Sequence, residues 1–446
     1  MLDKVDGAYA SGVERAEIRA VLLDSSLGRG GEGMSIAYRG SSKIESDLAL
    51  RAHLANLLRL ENVALLLGAG ASVSAGGKVV KDLWNEFVDA YPDSATWLAD
   101  EKFVSNEDIE EDGQTTPNIE ALADSLGIAL AEWTRVEGEK LVDGCSVRAN
   151  LHRSVVKAAV LQPAWWQSIS GVGYDEEGLR HHRTILQKIT AARQPGQASP
   201  WVFTTNYDLA IEWAAESIDM SVSNGFVGTH TRRFSPQSFD LGFRNTQARG
   251  EARFGVYNIY LAKLHGSLTW KEHDGQYYEE QAAGAWSEIH AFLEKQQEYL
   301  GSLVLPSAAK YMQTIGFVLG ELLRRFAEFL ARPQSCVVIA GYGFGDEHIN
   351  RLLSSALLNP TLQLVIYLPE FVGLEDQANL PVAVRRLLAL ESPRITIVGG
   401  GADAYLDALA RDLPEPTIYD DDLKDLERRL RDDLIPPGQN AFGLPI

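Results

Sequence analysis

Val63-Ala64-Leu65-Leu66-Leu67-Gly68-Ala69-Gly70-Ala71-Ser72 is the stretch on which the fold turns. Five apolar residues run without a break into a turn built from glycine, alanine and serine. A strand that is apolar at every position belongs in a parallel sheet covered on both faces, because neither side of it meets water. The small residues that follow allow a tight turn and a close approach of backbone. They lie at the carboxyl end of the strand, the edge where open parallel sheets bind ligands.

The same construction returns three times along the chain. Trp201-Val202-Phe203 leads into Thr204-Thr205-Asn206-Tyr207-Asp208, and Asn258-Ile259-Tyr260-Leu261 leads through Lys263 into Leu264-His265-Gly266-Ser267. Cys336-Val337-Val338-Ile339 leads into Gly341-Tyr342-Gly343-Phe344-Gly345-Asp346. Further strands are expected at 364–368 and 395–398. Helical spacing intervenes, most clearly after Asp346, a good N-cap, through Ile349, Leu352, Leu353, Ala356 and Leu357. A second such run follows Asp403. Strands alternating with helices predict an α/β fold, a Rossmann-like doubly wound parallel sheet.

Around this core, residues 1–50 read as an N-terminal arm, partly ordered, with a polar Gly28-Arg29-Gly30-Gly31-Glu32-Gly33 stretch. Residues 51–415 form the main domain. Within it, 80–200 is mostly helical and long enough for an insertion or subdomain. Residues 416–446 are an acidic C-terminal tail with a short amphipathic stretch (Leu423, Leu426, Leu430, Leu434).

The bulk numbers narrow the functional classes. The 446 residues are 45% hydrophobic and 23% charged, an ordinary globular composition. No uncharged apolar run approaches the roughly 20 residues needed to span a bilayer, so no membrane association is expected. The first residues lack the basic and then apolar layout of a secretory signal. Two distant cysteines, Cys145 and Cys336, fit a reducing compartment, and the expected location is the cytoplasm. With 61 acidic against 41 basic residues the formal charge is -20, the reverse of a surface that tracks phosphate backbones. Direct nucleic-acid binding is disfavoured.

Each strand-end segment has a functional and a structural explanation. Gly68, Ala69, Gly70 and Ser72 suit a turn that brings backbone amides to a phosphate, and suit equally a tight strand-to-helix turn. Val73 stands where the dinucleotide fingerprint has its third glycine, and the pattern is no P-loop. In the second segment Asn206 or Asp208 would serve as a helix cap, yet hydrogen-bonding side chains are unusually dense there. His265 has Gly266 beside it to clear space, and an imidazole at that edge suits a general base. His348 suits capping or packing, and His181-His182 lacks metal partners at ligand spacing. Structural zinc is not expected with two distant cysteines. Gly341, Tyr342 and Gly343 offer a flexible loop or a cradle for ribose or phosphate, with Tyr342 or Phe344 beside a base.

Taken in this order, the segments resemble the sirtuin (SIR2) superfamily, and more closely the SIR2-like domains of prokaryotic anti-phage defence proteins. The resemblance covers roughly residues 50–413. Gly68 to Ser72 matches the family's Gly-Ala-Gly-x-Ser turn, which holds the dinucleotide. Thr204 to Asp208 matches its Thr-Gln-Asn-x-Asp segment, with Thr205 in place of glutamine. His265-Gly266 matches its His-Gly pair, Gly341-Tyr342-Gly343 its Gly-Thr-Ser turn, and Gly399-Gly400-Gly401-Ala402-Asp403 its terminal adenine-side turn. Two departures matter. Residues 267–340 hold only Cys336 where deacylating sirtuins carry a four-cysteine zinc module, so no zinc ribbon is expected. The Asp-Phe-Arg stretch after the first turn is replaced by Val79-Val80-Lys81-Asp82-Leu83-Trp84.

The resemblance implies NAD+ as substrate, cleaved at the nicotinamide–ribose bond to nicotinamide and ADP-ribose. Nicotinamide departs neutral from a cationic pyridinium, so no general acid is needed, and the transition state is oxocarbenium-like. Asn206 would orient ribose and water, His265 would accept a proton, and Thr205 and Asp208 would support ligand contacts. The alternatives are a regulatory module that binds NAD or ADP-ribose without consuming it, and a zinc-free protein deacylase. The resemblance further implies a homo-oligomer and a partner that restrains or triggers the enzyme, a HerA-like hexameric ATPase in preference to a short Argonaute.

Overall fold

The computed structural model describes residues 36–109, 116–117, 119–136, 138–167, 177–193, 197–243, 258–297, 300, 315–400 and 405–415. Its strands in chain order are β1 (Ile36–Arg39), β2 (Ser42–Ile44), β3 (Asn62–Leu67), β4 (Trp201–Thr204), β5 (Ser221–Ser223), β6 (Phe226–Val227) and β7 (Arg232–Phe234). They continue with β8 (Asn258–Lys263), β9 (Trp270–His273), β10 (Gln276–Glu279), β11 (Ser335–Ala340), β12 (Gln363–Tyr367) and β13 (Ile395–Gly399).

Nine strands form one sheet in the order β2-β1-β13-β12-β11-β3-β4-β8-β5. From β13 to β5 every pairing is parallel. The unbroken apolar runs have the expected cause. Ala64 and Leu66 of β3 pack on one face with Val337 and Ile339 of β11, under the helix Ile315–Ala331. Val63, Leu65 and Leu67 pack on the other with Cys336, Val338 and Ala340, under the helices Asp47–Leu58, Arg180–Ala191 and Leu406–Asp412. The doubly wound α/β arrangement read from the sequence is the one observed. Truncating a fully buried leucine such as Leu65 or Leu66 to alanine is expected to cost about 2–5 kcal/mol.

Between β3 and β4 the chain is helical, from Val80–Ala90 to Arg180–Ala191. This segment has a core of its own, in which Trp84, Phe87, Leu98, Leu126 and Leu151 meet. A second, antiparallel sheet in the order β6-β7-β10-β9 carries Phe226, Trp270 and Tyr277 into the main core.

The start of the domain differs from expectation. Residues 36–44, assigned to the arm at 1–50, form the hairpin of β1 and β2, and β1 pairs antiparallel with β13 (Ala37 opposite Val398). The helix Asp47–Leu58 follows at once, capped by Ser46. The remainder of the arm, the tail at 416–446, and Ala402 with Asp403 lie outside the described residues.

Candidate functional site

Register places the four segments at one level. Ala340 of β11 is opposite Leu67 of β3, Leu67 is opposite Thr204 of β4, and Thr204 is opposite Lys263 of β8. The next residue in each strand, Gly341, Gly68, Thr205 and Leu264, therefore leaves the same edge of the sheet on four adjacent strands. Above them lies a cavity of about 570 Å³. Ala69, Gly70, Ser72, Thr205, Asn206 and Asp208 line it, as do His265, Gly341, Tyr342 and Gly343. Gly68 contributes its carbonyl from just beneath.

The first and fourth segments interlock through their backbones. Gly70 N–H donates to the Gly341 carbonyl at 2.9 Å, and Gly68 N–H to that of Ala340 at 3.2 Å. Gly341 has φ +63°, and a Cβ there would lie 2.1 Å from the Ala71 nitrogen. Glycine is thus required at 341 by conformation and by contact. Gly343 differs, since a Cβ on it would meet nothing within 4 Å. The ring of Tyr342 is buried against Phe344, with centroids 4.9 Å apart, and its hydroxyl bonds to Asn350 Oδ1 at 3.2 Å. Phe344 is buried too.

The second segment closes on the first through side chains. Asn206 Nδ2 donates to the Gly68 carbonyl at 3.0 Å and to Ser72 Oγ at 2.9 Å. The Gly68 carbonyl can only accept, which fixes the amide orientation and leaves Oδ1 as the Asn206 atom available to a ligand. Ser72 Oγ in turn donates to Asp208 Oδ2 at 2.7 Å, while Asp208 Oδ1 accepts at 3.0 Å from the N–H of Ala210, the first residue of the following helix. Ser72 and Asp208 therefore serve first to hold Asn206. Behind them His182 is buried, hydrogen-bonded to the Ala71 backbone, with Nδ1 lacking a hydrogen-bond partner. Burial pulls its pKa down to about 4, against the opposing pull of the Asp208 charge.

His265 is buried at the end of β8, and its Nε2 lies 2.9 Å from Asp346 Oδ2. Oδ1 of Asp346 accepts from the amides of His348 (2.7 Å) and Ile349 (3.1 Å), capping the helix Glu347–Ala356. Burial works to raise the Asp346 carboxyl, but the hydrogen bond and charge of His265 and the two amides outweigh it and hold it below the usual carboxylate range. An ionised Asp346 can only accept, so Nε2 carries the proton and a neutral His265 has its basic lone pair on Nδ1.

The far wall was not anticipated from sequence. Leu151, His152 and Val155 come from the helix Leu141–Val160 of the insertion, Lys78 and Lys81 from the segment after the first turn, and Glu370 from the end of β12. Local pattern shows Asp346 only as a helix cap, because the partner of its second oxygen lies 81 residues away in the chain. His182 shows in sequence only as half of a His-His pair. Among the described residues no cluster of three or more His, Cys, Asp or Glu side chains could hold a metal ion, and no helix is long and apolar enough to cross a membrane.

The residues present fit a dinucleotide. The cavity lies within the range of small-molecule sites. Asn206 Oδ1 and the Glu370 carboxylate offer acceptors for ribose hydroxyls, Lys78 and Lys81 offer positive charge, and the open face at Gly343 allows close approach. A search of curated proteins finds no match for this chain. Residues 200–386 match the family model of the SIR2-like domain, a span that contains Asn206, His265 and Asp346. The Gly68–Ser72 turn precedes that span but is hydrogen-bonded to it through Asn206, Asp208 and Gly341. Residues 200–386 are thus similar to a SIR2-like domain, and domains of this family use NAD+.

Proposed function

We propose that the protein is an NAD+ glycohydrolase that releases nicotinamide and ADP-ribose, and that it acts in anti-phage defence by depleting NAD+. The observation that carries this reading is the state of Asn206. Both hydrogens of its amide are held by Gly68 and Ser72, so Oδ1 presents a fixed acceptor to the cavity that His265 also lines. A fixed acceptor lining the same cavity as a carboxylate-backed imidazole is what the orientation and deprotonation of a water require. Nicotinamide leaves as a neutral molecule, so the site needs no acid for the leaving group.

Asn206 Oδ1 accepts from the attacking water or a ribose hydroxyl. His265 takes the proton on Nδ1, and Asp346 balances the resulting imidazolium. Ser72 and Asp208 keep the Asn206 amide from turning over. The segments at Gly68 and Gly341 hold the body of the dinucleotide, and the helical insertion closes the opposite side.

Unrestrained NAD+ loss is toxic to the cell that makes the enzyme, so control by a partner belongs to the proposal. A HerA-like hexameric ATPase is the proposed partner, and a homo-oligomer the proposed state. The test is incubation of purified protein with NAD+, alone and with an operon-encoded ATPase, with nicotinamide and ADP-ribose resolved by chromatography. Nicotinamide should appear in equimolar amount with ADP-ribose and vanish in folded Asn206→Ala and His265→Ala variants. Binding without release in both settings would leave a sensor module instead, and release dependent on an acyl-lysine peptide would make it a deacylase.

A further inference from the structure

A lysine sealed from solvent lies directly beneath the loops that carry Asn206 and His265. Lys263 ends β8 in the same row as Thr204, and 3% of its side chain is exposed. Its ammonium donates to the backbone carbonyl of Asp208 and to Ser267 Oγ at 3.3 Å, and reaches the carbonyl of Tyr207 at 3.5 Å. Two of these acceptors belong to the Asn206 loop, and the third belongs to the His265 loop. Glu212, on the helix Ala210–Glu216, supplies the counter-charge, with Oε1 at 2.9 Å from Nζ. Two backbone bonds run alongside, from Leu264 N–H to Thr204 (2.8 Å) and from Leu268 N–H to Tyr207 (3.1 Å).

Stability alone does not account for this arrangement. A buried ion pair loses hydration that its mutual attraction barely repays, and an apolar pair of similar volume is often as stable or more so. The Glu212 end is poorly satisfied. Both its oxygens are buried without an aligned hydrogen bond, and burial pushes its carboxyl up against the pull of Lys263. What the ammonium provides, and an apolar side chain cannot, is several donors radiating from one point to acceptors on two different loops.

We propose that Lys263 is a positioning residue: by holding the Tyr207 and Asp208 carbonyls and the Ser267 hydroxyl, it sets where Asn206 stands relative to His265. Glu212 stands as its ion-pair partner in the buried site, 2.9 Å from Nζ. Lys263 touches no reacting atom, and it rests on the reading that Asn206 and His265 act together on NAD+. The segments at Gly68 and Gly341 that would hold the body of the ligand lie on the far side of β4 and are linked to Lys263 only through the Asn206 loop. Loss of Lys263 should therefore impair turnover far more than ligand affinity.

The test compares the wild type, Lys263→Met and the double variant Lys263→Met/Glu212→Met, which removes both charges and so avoids an unpaired buried carboxylate. Thermal unfolding, NAD+ affinity, kcat for nicotinamide release and hydrogen exchange at the Leu264 and Leu268 amides are measured on each. The double variant is expected to fold with wild-type Tm and to bind NAD+ within a few-fold of the wild type, with kcat lower by about a hundredfold, the order expected when reacting groups are displaced by about 1 Å. Its Leu264 and Leu268 amides should exchange faster, while those of β3 and β11 do not change. Wild-type kcat in the double variant, or a parallel fall in affinity and Tm, overturns the proposal. If the wild type itself releases no nicotinamide, the cleavage reading fails, and exchange at Leu268 still decides whether Lys263 pins the two loops.

Discussion

His265 and Asp346 meet through a 2.9 Å hydrogen bond although they leave strands β8 and β11, which have β3 and β4 between them in the sheet. The contact spans the whole sheet edge on which the candidate site stands. It divides the labour of one carboxylate, since Oδ2 faces the imidazole while Oδ1 caps a helix. Asn is as good an N-cap as Asp, so Asp346→Asn should keep the helix while removing the charge behind the histidine. The expected result is an unchanged Tm and a fall in kcat of about a hundredfold or more, since positioned bases of this kind contribute about 10²–10⁴-fold. Wild-type turnover in folded Asp346→Asn would remove the pair from the mechanism.

Ser72 lies between Asn206 and Asp208, accepting from one and donating to the other. Ser72→Ala leaves a buried carboxylate oxygen without its donor and frees the Asn206 amide to rotate. The stability cost should be about 1–3 kcal/mol, measured by urea unfolding, because a buried acceptor then goes unsatisfied. Turnover should fall with it. A variant of native stability and native kcat would show that Asn206 is held by other means.

Much of this arrangement was readable in the chain because parallel strands are dense signals. Four or five apolar residues followed by a turn mark β3 and β11 without any tertiary knowledge, and the four turns follow from them. The hairpin β1–β2 escaped because its strands are three or four residues long and its turn is polar, so no period could establish itself. The hairpin β9–β10 carries a two-residue turn signal in Asp274-Gly275, both at positive φ (50° and 72°), which stands among charged neighbours with no strand-like apolar alternation around it. Asp346, His182 and Lys263 are different. Each looks ordinary in its own segment and acquires meaning only from a strand or turn distant in sequence, so local pattern carries no trace of it.

Gly341 and Gly343 separate the structural from the ligand-facing use of glycine within one turn. Gly341→Ala sets a Cβ 2.1 Å from the Ala71 nitrogen at φ +63° and should destabilise the protein by at least about 2 kcal/mol through strain and overpacking. Gly343→Ala meets no neighbour within 4 Å and should fold normally. If the cavity accepts NAD+ along this turn, Gly343→Ala raises KM with little change in Tm. Equal stability of the two variants would contradict the interlock between the first and fourth segments.

His182 makes the fold sensitive to acid. Its pKa is pulled down to about 4 from the ordinary 6.5, so between those values the unfolded chain binds a proton that the folded one does not. Stability must then rise with pH through that window and be lost as pH falls from 6.5 towards 4. The loss traceable to this one group is about 2 kcal/mol by pH 5 and about 3 kcal/mol in full. His53, bonded to Thr396 Oγ1 at 2.8 Å and likewise pulled down to about 4 by burial and then by Arg39, acts in the same direction. Replacing His182 with Gln keeps a donor for the Ala71 backbone and removes the titration. Urea unfolding at pH 7 and pH 5 should therefore show a smaller acid-induced loss in His182→Gln than in the wild type. An identical loss in both proteins would mean that His182 is not buried in neutral form beneath the Gly68–Ser72 turn.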